Sequence, residues 1–154
     1  MSSASTSASD AWESLFRTQV AVMRVLRQDF AGAGMSINEY DVLYNIARCP
    51  ERRIRLRDLN ESVLITQSSV SRLIDRLVAR GFVEKFEDEF DARSTIVALT
   101  AAGVSEFRRV GRIHADSIER HVGGALTEDE LATLQELCER LRAPFAPDSK
   151  PEKK

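Results

Sequence analysis

Along most of the chain the apolar residues return every three or four positions, the period of a helix with one buried face. The first stripe runs Trp12, Leu15, Phe16, Met23, Leu26 and Phe30, with Gln19 on the same line, and Gly32 and Gly34 stop it. Ser36-Ile37-Asn38-Glu39 has the spacing of a capping box, in which a serine hydroxyl and a glutamate carboxylate each satisfy a free amide at a helix start. It predicts a helix through Ile37, Tyr40, Val42, Leu43, Ile46 and Ala47, ended by Pro50. Residues 53–56 form a short β-capable run, and residues 57–63 read as a short helix. Thr66 is placed to cap a helix whose buried face is Val70, Leu73, Ile74, Leu77 and Val78, with Gly81 as its left-handed stop.

After Gly81 the period changes. Residues 82–86 and 95–99 alternate apolar and polar around "EDEFDARS", which predicts a β-hairpin with a long, charged tip. Thr100 caps a further helix to about Val122, broken by Gly123-Gly124. A second capping box, Thr127-Glu128-Asp129-Glu130, opens a last helix bearing Leu131, Leu134, Leu137, Cys138 and Leu141. Three compact helices followed by a two-stranded hairpin make a winged helix-turn-helix. The expected fold is therefore mainly α with a small β-hairpin wing. A winged core at about 36–100 lies between helices at about 10–33 and 101–145, in one domain over 10–146. The Ser/Ala/Thr-rich residues 1–9 and the segment 147–154 read as disordered tails.

The stripes of the first helix and the last two fall outside that core. Left bare, they would exceed the apolar patch a soluble monomer normally shows. A two-fold homodimer removes the problem and sets two copies of the 66–80 helix about one DNA turn apart, ~34 Å.

Charge changes the picture only locally. The formal net charge is -2, yet residues 48–85 hold nine Lys or Arg against five Asp or Glu. A basic segment in an acidic chain implies a local anion-facing surface. At 154 residues, with 43% hydrophobic and 30% charged residues, the chain can bury a real core. Its start lacks a cationic, apolar leader, and no stretch nears the ~18 apolar residues of a membrane span, so a cytoplasmic protein is expected.

The outer face of the 66–80 helix carries Gln67, Ser68, Ser69, Ser71, Arg72 and Arg76, with Thr66 at its start and no acid before Asp75. Small hydroxyl residues let a helix approach closely, and Gln and Arg can bond base edges bidentately. The helix start also favours phosphate through its free amides and dipole. An ordinary solvated face would more often carry Glu and Lys pairs four apart. Of the nearby basic run Arg52, Arg53, Arg55 and Arg57, some members, Arg55 and Arg57 among them, are candidates for phosphate contact. The wing tip is harder to place on DNA, since Glu87, Asp88, Glu89 and Asp91 should repel it. A single arginine, Arg93, can nonetheless enter a narrow minor groove, with a neighbouring carboxylate holding its pose.

The segment "SSVSRLIDRLVARGFVEKFEDEFDARSTIVALTAAG" resembles the core of the MarR family of bacterial transcription regulators. The family pattern S-x-V-x-R-L-x-x-x-L-x-x-x-G is matched by Ser69, Val70, Arg72, Leu73, Leu77 and Gly81. Asp91-Ala92-Arg93 matches its wing signature, and Leu99-Thr100 with Gly103 matches the closing "LT-x-x-G". The likeness spans roughly residues 15–141. It implies an obligate homodimer whose terminal helices interlock, reading a palindrome, with Arg93 in the minor groove. Many relatives have Asp-Arg where Thr66-Gln67 stands, so base preference should differ.

The resemblance also raises a small aromatic or phenolic effector. In one urate-responsive branch the pocket uses a Trp, an Asp and two Arg. Asp41 and Arg72 align with two of these, Lys85 stands near a third, and Trp12 lies on the long first helix. Some relatives sense peroxide through a cysteine near the start of that helix, whereas here Cys49 follows the second helix, between Arg48 and Pro50. Arg48 and Arg52 would favour its thiolate, but free cysteines are usually small buried hydrophobes. His114 and His121, seven apart without an acid or thiolate partner, make a poor zinc site, so neither metal nor cofactor is expected. No nucleophile elbow, phosphate loop or paired-carboxylate arrangement stands out, which argues against an enzyme. The expected function is a ligand-relieved repressor binding double-stranded DNA. The rivals are a winged-helix protein-interaction module and a redox-sensing regulator using Cys49.

Overall fold

Three capping boxes set where helices begin. The computed structural model describes residues 6–63 and 67–145. In it Ser36 with Glu39 opens α2 (Ile37–Ala47), and Thr127 with Glu130 opens α6 (Glu128–Arg142). A third box, Ser7 with Asp10, opens α1 (Ala8–Phe30). That box corrects the boundary of the first tail: residues 8 and 9 are helical, because Ser7 and Asp10 satisfy the first free amides. Residues 1–5 and the second tail lie outside the described residues.

The described residues fall into two compact units, one ending at Ser117 and one starting at Ile118. In the first, α1 and α2 are followed by β1 (Arg53–Arg55), α3 (Leu56–Ser62), α4 (Gln67–Ala79), β2 (Val83–Glu87), β3 (Thr95–Leu99) and α5 (Ala101–Ile118). The hairpin β2–β3 is antiparallel, with Val83 opposite Leu99 and Glu87 opposite Thr95. The structure adds a third strand: the β-capable run at 53–55 pairs antiparallel with β3, so the order is β1-β3-β2 and β3 is central. Val97 and Ala98 of that central strand are buried.

The core lies where α2, α3 and α4 meet the sheet. Val42, Leu43 and Ile46 of α2, Leu59 of α3, and Val70, Leu73, Ile74 and Leu77 of α4 are buried together with Val83 and Val97. Val78, expected on the buried face, is only partly covered. From α1 only Leu26 and Phe30 are buried; Trp12, Phe16 and Val20 are exposed.

Two arginines tie the turn after α1 to distant helices. Arg80, just past α4, donates to the Gly34 carbonyl (2.8 Å), and Arg109 of α5 donates to that of Ala33. Glu39, buried at the start of α2, accepts from the Ser36 amide and pairs with Arg76 (3.3 Å) and Arg80 (3.8 Å). One carboxylate thus caps α2 and holds the end of α4 against it.

The end of α4 has the double hydrogen bond of a glycine-terminated helix. The Phe82 amide donates to Leu77 O (3.0 Å) and the Gly81 amide to Val78 O (2.9 Å), with Gly81 at φ 77°. Thr100 then closes the hairpin against this stop: its hydroxyl donates to Gly81 O (2.6 Å) and its amide to Phe82 O (3.1 Å). The same hydroxyl accepts from the Gly103 amide (3.0 Å), capping α5.

In the second unit a widened π-helical turn, Glu119–Gly123, follows α5 and is closed by the Gly124 amide on Glu119 O (2.9 Å). The expected break at the glycine pair is therefore preceded by a change of helical winding. α6 by itself exposes Leu134, Leu137 and Leu141.

A Cβ on Gly103 would stand 1.9 Å from the Phe82 carbonyl oxygen, which is backbone and cannot swing away. Gly103→Ala should therefore cost about 2–3 kcal/mol or more, read as a lowered midpoint in urea denaturation. An unchanged midpoint would mean that this junction is looser than described.

Candidate nucleic-acid interface

Burying Val70, Leu73, Ile74 and Leu77 fixes the rotation of α4 and turns its other side out. Ser68, Ser71, Arg72 and Arg76 are exposed and Ser69 is half-buried. Gln67 is the first residue of the helix, and Thr66 lies outside the described residues. The first turn carries no acid. Asp75, further along, is paired with Lys85 of β2 at 2.7 Å, which ties the wing to α4. Arg72 bends back so that its Nε donates to Ser68 O (3.3 Å). Arg76 remains largely exposed although it also reaches Glu39.

The basic residues nominated near β1 divide. Arg55 makes a two-pronged contact with Asp88 at the wing, through Nε (3.0 Å) and Nη2 (2.9 Å), and Asp88 is only 8% exposed at its side chain. Arg55 is thereby a staple for the wing tip. Arg57 is exposed, with Asp58 at 3.6 Å.

The wing tip accounts for two of its four acids. The Asp88 carboxylate accepts from the Phe90 amide (3.0 Å) and that of Asp91 from the Arg93 amide (3.0 Å), two successive Asx turns. Asp88 N to Ser94 O (3.0 Å) closes the loop. The expectation that a carboxylate would hold the Arg93 side chain is corrected: Asp91 holds the backbone of Arg93, because a carboxylate two residues back reaches the amide. The Arg93 guanidinium is exposed and has no protein partner among the described residues. Sequence reasoning passed over the Arg55–Asp88 staple and the first Asx turn. The repeat D-x-F-D-x-R was the available signal.

Of the four effector-pocket residues, Trp12 is set apart from Asp41 within one chain. Trp12 stands eighteen residues before Phe30 on α1, about 27 Å along the helix, and Phe30 is the α1 residue that meets Tyr40 beside Asp41. Lys85 is engaged by Asp75. Burial raises the Asp41 carboxyl, opposed by a hydrogen bond from Asn45 (3.2 Å). Cys49 is half-buried, and its thiol donates to Asn45 O (3.3 Å).

His114, set aside as a metal ligand, sits edge-on to Phe30 (5.1 Å) and Tyr40 (5.2 Å), with Nδ1 buried and unpartnered. Among the described residues no cluster of His, Cys, Asp or Glu could hold a metal ion.

A three-helix core, a basic-edged polar helix face and a three-stranded wing with an arginine at its tip define a winged helix-turn-helix protein of the transcription-regulator class. Residues 33–94 match the model of the MarR family. The multiple antibiotic resistance protein MarR of Escherichia coli K12 is 26% identical over 118 residues, 77% of this chain and 81% of that protein. Sco3205 of Streptomyces coelicolor, a MarR family transcriptional regulator whose crystal structure is a complex with DNA, superposes with a TM-score of 0.79 at 26% identity, over 97% of this chain and 95% of that one. PcaV of the same organism, crystallised with its natural ligand, shares the fold with a TM-score of 0.72 at 24% identity, over 91% and 97% of the two chains. Over residues 33–94, and in its fold, the chain is similar to the MarR family.

Two outcomes follow from this geometry. Asp91→Ala should abolish hydrogen-exchange protection of the Arg93 amide, whereas Asp91→Asn, which keeps the accepting oxygen, should retain it. Equal protection in both would dissolve the second Asx turn. For His114, burial lowers the pKa below its ordinary 6.5, so the unfolded chain binds the proton first. Stability present above about pH 6.5 should therefore be lost as pH falls below it toward the lowered folded value. Melting temperatures measured between about pH 7 and pH 5 should fall more steeply for wild type than for His114→Gln. Identical slopes would rule out His114 as the source.

Proposed function

We propose that this protein is a cytoplasmic, homodimeric repressor that binds double-stranded DNA, with α4 in the major groove and Arg93 in the minor groove. The observation that carries the reading is the outer face of α4: hydroxyls and arginines, an acid-free first turn, and a buried face that leaves the helix no other orientation. Gln67, Ser68, Ser69, Ser71, Arg72 and Arg76, with Thr66 before them, are the residues assigned to bases and phosphates, and Arg57 to phosphate. The complex of Sco3205 with DNA supports the assignment. Arg55 serves the interface through the wing it staples.

Pairing of two copies is supported by the exposed Trp12, Phe16 and Val20 of α1 and, separately, by Leu134, Leu137 and Leu141 of α6. Among the described residues no helix is long and apolar enough to cross a membrane. A small aromatic or phenolic effector is the expected means of relief, with ligand-bound PcaV as precedent within the fold. The relatives are transcriptional regulators, and the present reading assigns no catalysis. The rival, a protein-interaction module, rested on the acidic wing. Engagement of Asp88 and Asp91 inside the turn weakens that argument.

The test is selection from random-sequence DNA, followed by salt titration of the selected duplex. Binding should be sequence-selective, with a log–log salt slope of about 0.9 per phosphate neutralised. Arg93→Ala should weaken it and lower that slope by about 1 while the dimer persists. Feeble, unselective binding by a well-folded dimer would overturn the reading.

A further inference from the structure

The wing tip carries an apolar residue that none of the preceding assignments uses. Phe90 is 91% exposed, against 38% for Phe86 in the strand below it. A lone exposed apolar side chain is ordinary on a protein surface, but this one sits in an unusual frame. Its amide is held by the Asp88 carboxylate two residues back, as the Arg93 amide is held by Asp91. Phe90 and Arg93 therefore occupy the same position in two consecutive Asx turns. The first of these turns is anchored from outside the hairpin, since Arg55 grips the Asp88 carboxylate with two nitrogens. The loop closes on itself through Asp88 N to Ser94 O and Ser94 N to Asp91 O (2.8 Å). The fold thus spends two carboxylates and one arginine on presenting an aromatic ring and a guanidinium three residues apart on one tip, both without side-chain partners among the described residues.

We propose that Phe90 is a second minor-groove contact residue, packing its ring on the apolar deoxyribose wall beside the groove that Arg93 enters. This rests on the DNA-binding reading above. A narrow minor groove offers the two chemistries the tip presents: strong negative potential along its floor for a cation, and sugar carbons along its walls for an apolar side chain. The neighbouring acids fit the same picture. Asp88 and Asp91 are turned into the loop, and an uncharged ring at the apex can lie near phosphates that would repel the exposed Glu87 and Glu89. A contact of this kind removes no counterion, so it should change affinity without changing salt dependence, which separates it from Arg93.

The experiment compares wild type, Phe90→Ala, Phe90→Leu and Arg93→Ala on the duplex that wild type selects from random-sequence DNA, by fluorescence anisotropy at several salt concentrations. Sedimentation of each free protein runs in parallel. Phe90→Ala should bind about tenfold more weakly with the wild-type salt slope, Phe90→Leu should recover most of the loss, and Arg93→Ala should reduce the slope. If Phe90→Ala binds as wild type does, the proposal falls while the DNA-binding reading stands. If Phe90→Ala instead changes the oligomeric state with affinity per dimer intact, the ring belongs to a protein contact and the proposal falls. If wild type selects no duplex, the DNA-binding reading itself fails, and this assignment with it.

Discussion

The rest of the winged unit hangs on one backbone contact: the carbonyl groups of Gly81 and Phe82 meeting the start of α5. Gly81 ends α4 with a positive φ, and its carbonyl takes the Thr100 hydroxyl. Phe82 begins the approach to β2, and its carbonyl takes the Thr100 amide while lying against the bare Cα of Gly103. One helix end, both strands of the hairpin and the next helix start are locked within a few residues. The wing therefore leaves α4 at a fixed angle, and whatever α4 addresses, the wing tip must address a fixed distance away.

A second constraint acts through charge. Acidic residues in this unit mostly act as fasteners rather than as a repelling surface. Glu39 both caps α2 and holds Arg76 and Arg80, Asp75 holds Lys85, and Asp88 holds Arg55. Each pair joins two different elements, and each neutralises a carboxylate beside the face assigned to DNA. Exposed pairs of this kind contribute little stability singly. Their effect is geometric, in orienting α4 and the tip. A nearly neutral chain can therefore present a basic-edged helix face, because Glu39, Asp75 and Asp88 beside it are each paired with an arginine or a lysine.

Much of the fold was legible in the chain. The boxes at Ser36 and Thr127, the apolar face of α4 and the glycine stop at 81 are local devices, and local hydrogen-bonding and periodicity rules read them directly. The start of α1 was legible too, in Ser7 and Asp10, but a low-complexity composition hid it. The third strand was half legible. Residues 53–55 are β-capable alone, yet their partner β3 lies some forty residues away, and pairing at that distance leaves no periodic trace. The site followed the same division: the exposed face of α4 and the lone wing arginine could be nominated, whereas the double duty of Arg55 and Glu39 could not.

By itself, the sequence determined the helices and their caps, the hairpin, and which side of α4 would face outward, because each depends on residues within a turn or two of one another. The tertiary structure alone decided which charges remain available. Arg55 is drawn to Asp88 and Lys85 to Asp75, while Arg93 is left with only its backbone tied. It also separated Trp12 from Asp41 by the length of a helix. The physical reason is distance: an ion pair or a pocket is a property of side chains brought within a few ångströms by packing, and residue spacing along the chain does not encode that approach.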